Sequence, residues 1–96
     1  MHVSIRRYDK VISVREVCRR IAVSFVPLLQ KSPGFIGYYA VDCGEGSMTT
    51  VSVFSTEQMA LESNETAAAW MRENVSELQP EPPTILGGKA EVVVTA

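Results

Sequence analysis

The stretch PGFIGYYAVDCGEGSMTTVSVF, residues 33–54, reads as two strands joined by a tight turn. Pro33-Gly34 reverses the chain before an aromatic-rich run, and Gly44-Glu45-Gly46 supplies the residues that hairpin turns require. Beyond the turn, valine positions alternate with Met48, Thr50 and Ser52, which is the period of an extended chain. The stretch therefore predicts a β-hairpin with strands at 35–42 and 48–54.

A helical pattern lies on each side of this hairpin. Before it, Ser13-Val14-Arg15-Glu16 fits a capping box, and apolar residues follow at helical spacing as far as Leu29. We expect Pro27 to kink this helix or to end its regular part, because the missing N–H leaves the Val23 carbonyl unpaired. After the hairpin, 55–58 fits a second capping box, and the prolines at 80, 82 and 83 close the second helix.

Two outer strands complete the pattern. His2 to Tyr8 alternates between an apolar and a polar face, and Lys89 to Thr95 reads as a strand that follows Gly87-Gly88. The order β-α-β-β-α-β predicts an α+β, ferredoxin-like fold: a four-stranded antiparallel sheet with both helices on one face. We expect residues 1–96 to form a single domain.

The strand pattern also predicts which sheet face the helices cover. We expect them to cover the valine-rich positions, which include Val3, Ile5, Val51, Val53, Val92 and Val94. The opposite face would then be more polar, and two such sheets packed together would bury it. The alternative is a monomer with one solvated sheet face. The dimer-interface candidates on this face are Ser4, Tyr38, Thr50, Ser52, Glu91 and Val93.

Tyr38 and Tyr39 are neighbours, so their side chains point to opposite faces of the strand. We assign Tyr39 to the helices and a pocket, and Tyr38 to the dimer. A bulge at Gly37 would exchange these assignments.

The bulk composition excludes several classes of function. With 46% hydrophobic residues and a net charge of −2, the chain has the composition of a globular protein and no electrostatic footprint for nucleic acid. The N-terminus lacks the apolar region of a signal peptide and no stretch is apolar enough for a membrane span, so we expect a cytoplasmic protein.

Cys18 and Cys43 are expected to be free thiols that are buried or half-buried. With His2 as the only histidine, no metal site is expected.

Several segments resemble the small proteins of the dimeric α+β barrel superfamily. The similarity is to the antibiotic-biosynthesis-monooxygenase-like (ABM) branch, and within it to uncharacterised bacterial members. It covers nearly the whole chain and implies a homodimer that forms through the sheet faces, with a pocket between sheet and helices in each protomer. The segments that carry it are SIRRYD (4–9), VPLL (26–29), PGFIGYY (33–39), VSVF (51–54), ESN (62–64) and AAAWMRENV (67–75).

The resemblance leaves the chemistry open. Haem-degrading relatives use an asparagine on the first strand and a tryptophan and a histidine on the second helix. Here Ser63 and Glu73 align near the two helix positions, so haem degradation is not expected. Quinol-oxidising relatives work without metal or flavin, which implies no cofactor. Three functions remain: a small-molecule-binding protein, a cofactor-independent monooxygenase acting on a phenolic or quinol substrate, and a sheet-mediated interaction or regulatory dimer.

Five residues are candidates for contact with a small aromatic or apolar ligand. Arg6 could hold an anionic or phenolic group with several donors, although an interface ion pair with Glu91 is an alternative. Trp70 could line the pocket or pack the helix against the sheet. Ser63-Asn64, a polar pair in the second helix near its apolar stripe, could reach the pocket or satisfy a local hydrogen bond. The five candidates are Arg6, Tyr8, Tyr39, Ser63 and Trp70.

Overall fold

The computed structural model describes residues 1–96 and has the predicted ferredoxin-like order. Its four strands form one antiparallel sheet in the order β2 (Phe35–Gly44), β3 (Ser47–Phe54), β1 (His2–Tyr8) and β4 (Thr84–Lys89). The fold class is thereby confirmed. The elements are β1 (His2–Tyr8), α1 (Val14–Arg20), a π-helical turn (Ile21–Phe25), α2 (Val26–Gln30), β2 (Phe35–Gly44), β3 (Ser47–Phe54), α3 (Glu57–Asn74) and β4 (Thr84–Lys89).

The first helical segment passes through Pro27 by widening the turn that precedes it. Ser13 caps its start, because its hydroxyl accepts a hydrogen bond from the Glu16 N–H. The N–H of Val26 then bonds the carbonyl of Ile21, five residues earlier, where a regular helix would use four. Proline removes one N–H from the ladder, and the wider turn lets the chain continue to Gln30.

The fourth strand lies earlier in the chain than the predicted 89–95. Residues Thr84–Lys89 pair with β1, and Gly87 and Gly88 lie within the strand. A Cβ on Gly87 would come 3.2 Å from the Val3 carbonyl oxygen, so a glycine suits this close approach. Two adjacent glycines are typical of a break between elements, which is why the sequence pattern predicts the strand too late in the chain.

The helices cover the sheet face opposite to the predicted one. Their packing buries a row of polar and large side chains, whereas Val3, Ile5, Val51 and Val53 lie on the other face. Alternation defines two faces but does not say which one faces a helix. The largest side chains, rather than the valines, fill the space under the helices. The buried row consists of Ser4, Arg6, Tyr8, Met48, Thr50, Ser52 and Phe54.

The two tyrosines are likewise exchanged relative to the prediction. The ladder between β2 and β3 shifts register between Phe35 and Gly37, so Tyr38 pairs with Ser52 and Tyr39 with Val51. The Tyr38 ring consequently lies under the helices, 5.7 Å from the ring of Phe25. Tyr39 is on the opposite face and is 64% exposed. The bulge that could exchange the two assignments is present.

The uncovered side of the sheet carries an apolar patch, and the next row, Val41–Thr49–Arg7–Thr84, is mostly polar. A row of aligned residues, Tyr39–Val51–Ile5–Leu86, crosses all four strands. Val3 and Val53 flank this row on one side, and Val41 lies on its other side. We call these seven residues the open sheet face.

Both cysteines are free thiols, as predicted. Cys18 is half-buried, whereas Cys43 is exposed, contrary to the expectation for it. None of the helices combines the length and the apolar character that crossing a bilayer demands.

Gly34 provides a test of the turn that enters β2. Its φ is +73°, and a Cβ there would collide with the Met59 sulfur and the Ser55 hydroxyl. We predict that Gly34→Ala lowers the free energy of unfolding by about 1–3 kcal/mol. Gly37→Ala is the matched control, because nothing lies within 4 Å of its Cβ position. Equal denaturation midpoints for the two variants would contradict this account of the turn.

Candidate functional site

The most unusual side chain of the protein is the buried guanidinium of Arg6. Arg6 is 2% exposed and lies at the centre of β1, beneath α3. Its Nε donates to Thr50 Oγ1 at 3.3 Å, and its Nη2 donates to Ser52 Oγ at 3.0 Å. Both hydroxyls come from β3, the neighbouring strand, so the sheet register itself places them beside Arg6.

Asn64, on α3, is the third hydrogen-bond partner of Arg6. Its side-chain oxygen accepts from Arg6 Nη1 at 2.6 Å and from the Ser4 hydroxyl at 2.7 Å. Asn64 is thus the one residue of α3 that bonds the polar row of the sheet. It was considered only together with Ser63 in the sequence, where a polar residue near the apolar stripe of a helix was the available signal.

No carboxylate balances the charge of Arg6. The ion pairs of the protein involve other arginines and one lysine. The alternative of a pair with Glu91 is not present within the chain, since Glu91 is exposed beyond the end of β4. A buried charge that has only neutral partners is costly, and buried arginines are usually paired. This imbalance marks Arg6 as a candidate anion site.

A cavity of about 390 Å³ adjoins Arg6. It lies between β1, α3 and the proline-rich loop that leads into β4. Arg6, Tyr8 and Asn64 line it together with Met71 and residues 79–83 of that loop. Three N–H groups of Arg6 are used in the bonds above, so one N–H on each terminal nitrogen remains free. Arg72 also lines the cavity as a second, exposed cation, and the one acidic lining residue, Glu81, forms an ion pair with Lys10.

Tyr8 is the second predicted residue in the cavity wall. Burial raises the pKa of its hydroxyl above the ordinary value, although the neighbouring Arg6 guanidinium opposes the shift. At neutral pH Tyr8 is therefore a neutral hydrogen-bond donor and not a base.

Two buried polar atoms have no hydrogen-bond partner: the Tyr38 hydroxyl and the Gln79 side-chain nitrogen. Gln79 lines the Arg6 cavity, whereas Tyr38 does not. An unpaired buried donor costs about 1–3 kcal/mol, so a partner in the cavity would relieve the cost at Gln79. No feature of the sequence singled out Gln79.

The remaining ligand candidates lie elsewhere. Trp70 is buried against Phe25 and donates from Nε1 to the Ser24 hydroxyl at 3.0 Å, so it packs the two helical segments together. Ser63 donates to the Ala60 carbonyl at 2.6 Å and borders a separate cavity of about 140 Å³. Tyr39 is on the open sheet face. None of the three lines the Arg6 cavity.

The six dimer-interface candidates fall into two groups, one buried under the helices and one exposed after β4. Four of them lie under the helices and are unavailable to a partner that covers the open side; these are Ser4, Tyr38, Thr50 and Ser52. Their assignment to the interface was wrong because the faces were exchanged. Glu91 and Val93 lie in the exposed segment that follows β4.

Comparison with known proteins establishes the fold. The sequence matches no protein-family model, and no curated protein is similar enough to count as a relative. Solved structures do match over nearly the whole chain. A protein of unknown function from Nitrosomonas europaea superposes with a TM-score of 0.78 at 17% identity, covering 99% of this chain and 93% of that one.

Two further structures carry a described ligand. A monooxygenase from Streptomyces coelicolor, solved with nanaomycin D, has a TM-score of 0.75 at 15% identity over 99% of this chain and 91% of its own. A variant of MhuD, solved with manganese protoporphyrin IX, has a TM-score of 0.71 at 15% identity over 100% of both chains. The chain thus has the fold of the ABM-like proteins, as the resemblance implied. Proteins that share this fold hold different ligands.

Tyr38 gives a test of the burial beneath the helices. Burial raises the pKa of Tyr38 to about 12, with Arg6 opposing the shift. The unfolded chain loses this proton near pH 10, so the unfolded state gains stability first and the folded protein weakens as pH rises from about 10 to 12. We predict that wild type loses about 1 kcal/mol more stability than Tyr38→Phe between pH 9 and pH 11 in urea unfolding. Identical pH profiles for the two proteins would contradict the placement of Tyr38.

Proposed function

We propose that this protein is a homodimeric, ABM-like small-molecule-binding protein that holds an anionic or phenolic group of its ligand against Arg6. The observation that carries the proposal is the buried guanidinium that has neutral partners and no carboxylate. A ligand anion would supply the missing charge in a site that is already shaped to receive it.

The cavity suits a small aromatic ligand. Its volume of about 390 Å³ lies within the range of small-molecule sites. Apolar contacts from Met71, Ile85 and the proline loop would enclose a ring. The free N–H groups of Arg6 and the Tyr8 hydroxyl would meet a carboxylate or phenolate at the inner end. The unpaired Gln79 amide would meet a second polar atom towards the loop.

Asn64 and the two β3 hydroxyls act as positioning groups in this proposal. They occupy three N–H groups of Arg6 and fix the plane of the guanidinium, so that its two free N–H groups keep one direction. Because Asn64 is neutral, it orients Arg6 without cancelling its charge. An aspartate would take the place of the ligand anion.

The open sheet face supports the homodimer. Tyr39 and Leu86 are both 64% exposed, and they lie in one row with Ile5 and Val51. A connected apolar surface of this kind on a sheet is the usual mark of an interaction site. A two-fold pairing of the same face in two copies would bury it.

Cofactor-independent oxygenation of a phenolic or quinol substrate is the second candidate function. Arg6 favours it, because a cation beside a phenol oxygen lowers the pKa of that phenol and stabilises the phenolate. The proton would leave to water, and the electron-rich ring would then give electrons to oxygen.

Oxygen uptake with a panel of quinols distinguishes this function from simple binding. Oxygen uptake by the wild-type protein that is lost in Arg6→Gln would support the oxygenase function. Absence of oxygen uptake with every quinol of the panel would exclude it for these substrates.

The ligand proposal is tested with a matched pair of probes. We predict that calorimetry detects binding of 2-hydroxy-1,4-naphthoquinone, an anion at neutral pH, to the wild-type protein. Arg6→Gln should weaken this binding roughly tenfold or more. The uncharged 1,4-naphthoquinone should be affected far less. Asn64→Asp keeps Arg6 in place but supplies a carboxylate. It should therefore weaken binding of the anionic probe while leaving the protein folded.

Equal binding of the anionic probe by wild type and both variants would overturn the role of Arg6. Absence of binding by both probes, and by aromatic carboxylates, would favour a dimer whose role is interaction or regulation. A haem titration belongs in the same series: tight haem binding that does not depend on Arg6 would favour a porphyrin ligand over the proposed class.

The dimer is tested on the open sheet face. We predict that wild type sediments as a dimer at micromolar concentration and that Leu86→Asp sediments as a folded monomer, because each copy would bury an unpaired carboxylate in the interface. Val23→Asp is the control, since Val23 is 67% exposed but lies on the helical layer. A monomeric wild type, or dissociation by both substitutions alike, would contradict the proposed interface.

A further inference from the structure

The cavity beside Arg6 extends along α3. The residues of this helix that line it form one stripe, which consists of Asn64, Ala68, Met71 and Arg72. At about 1.5 Å of rise per residue, Arg72 lies about 12 Å further along the helix axis than Asn64. Because Asn64 bonds Arg6, these two positions mark the two ends of the cavity. We call Arg72, together with Gln79 of the adjoining loop, the Arg72 end.

The Arg72 guanidinium has no acidic partner in the chain. It takes part in none of the ion pairs of the protein. The positions one helical turn before and after it, which could supply a carboxylate, are occupied by Ala68, Ala69, Val75 and Ser76. Arg72 lies in the last turn of α3, where a cation interacts favourably with the helix dipole without needing a side-chain partner. Its charge is therefore open to a group in the cavity.

A second donor at this end also has no partner. The side-chain nitrogen of Gln79 is buried in the cavity wall and makes no hydrogen bond. A buried donor without a partner lowers stability, and a ligand acceptor would restore the missing bond. An acidic group at the Arg72 end would thus meet both a positive charge and an amide donor.

The charges around the cavity leave two cations unbalanced. Arg6 and Arg72 both lack a carboxylate partner. Glu81, the single acidic lining residue, lies 3.3 Å from Lys10 Nζ, so its charge is already offset. The two unbalanced cations lie at opposite ends of the cavity, and one acidic group could approach only one of them.

Between its two ends the cavity is apolar. The Ala68 side chain stops at Cβ, and Met71, Ile85 and the prolines of the loop supply the other contacts. Apolar walls of this kind suit the faces of an aromatic ring system. A fused two-ring system with an acid at each end matches a helical rise of about 12 Å better than a single ring does.

We propose that the ligand of this site is an aromatic acid with two acidic groups, of which Arg6 holds one and Arg72 with Gln79 holds the other. The inference rests on the small-molecule-binding function proposed above and adds a specificity to it. Arg6 accepts an anionic or phenolic group in general, whereas Arg72 and Gln79 distinguish a doubly charged ligand from a singly charged one.

The test compares two probes that differ by one carboxylate. Naphthalene-2,6-dicarboxylate carries two charges at neutral pH, and 2-naphthoate carries one. We expect calorimetry to show that the wild-type protein binds the dicarboxylate roughly tenfold more tightly, because both ends of the cavity are used. Arg72→Gln should remove this preference, weakening the dicarboxylate roughly tenfold and 2-naphthoate less than about twofold.

Arg15→Gln is the matched control for Arg72→Gln. Arg15 is exposed on α1, takes part in no ion pair and does not line the cavity, so the substitution makes the same change in net charge away from the site. It should leave the affinities for both probes unchanged.

Gln79→Met tests the amide donor separately. The two side chains are similar in length, and the substitution removes the unpaired nitrogen. We expect it to weaken the dicarboxylate roughly threefold or more. The urea midpoint of the unliganded protein should stay the same or rise, since no hydrogen bond of this nitrogen is lost. A lower midpoint with unchanged dicarboxylate binding would make Gln79 a structural residue only and overturn its role.

The remaining outcomes separate this inference from the function on which it rests. Equal affinity of the wild-type protein for the two probes, or equal weakening of both by Arg72→Gln, would overturn the second acid site. The Arg6 site would still stand if Arg6→Gln weakens both probes. Equal losses of dicarboxylate binding in Arg15→Gln and Arg72→Gln would reduce the effect to net charge and overturn the inference as well. Binding of neither probe by the wild-type protein would overturn the Arg6 site together with it.

Discussion

The contact between the Arg6 guanidinium and Asn64, 2.6 Å apart beneath α3, is the interaction to which the other features of the site relate. It joins the centre of the sheet to the long helix through polar groups, where most ferredoxin-like layers meet through apolar ones. Ser4, Thr50 and Ser52 share the helix-covered face with Arg6 and supply or support its neutral partners. Burying a cation there is unfavourable unless the site gains something from it, and an anionic ligand would provide that gain.

The order of elements followed from the sequence because its signals are local. Ser13 caps the first helix as predicted, and Thr56 caps the long helix one residue after the first position of the predicted box at 55–58. Gly44 and Gly46 turn the hairpin, and each of these effects depends on a few neighbouring residues. The choice of sheet face is not local. It depends on which side chains fill the space under two helices, and Tyr8, Met48 and Phe54 fill it better than valines would. The glycines of β4 misled for a related reason, since their role is a close approach to β1 that only tertiary structure reveals.

The site could be predicted in part. Arg6 and Tyr8 stood out because charged and aromatic residues on a central strand need an explanation. Trp70 and Tyr39 stood out by size, but one packs between helices and the other lies on the open face. Asn64 was considered together with Ser63, but which of the two reaches Arg6 depends on the rotation of α3 over the sheet. Gln79 was not considered, because its position depends on the path of the proline loop. Both are ordinary polar residues until the chain has folded.

The exchanged faces also change the account of assembly, because the open side carries an apolar patch and the valine-rich end of the chain is exposed. The central claim nevertheless concerns Arg6, and the guanidinium can be observed directly by NMR. Titration of the wild-type protein with 2-hydroxy-1,4-naphthoquinone should shift the Nε–H and Nη–H resonances of Arg6 and slow their exchange with water, while the exposed Arg15 stays unchanged. Arg6 resonances that do not move while the probe binds elsewhere would contradict the account.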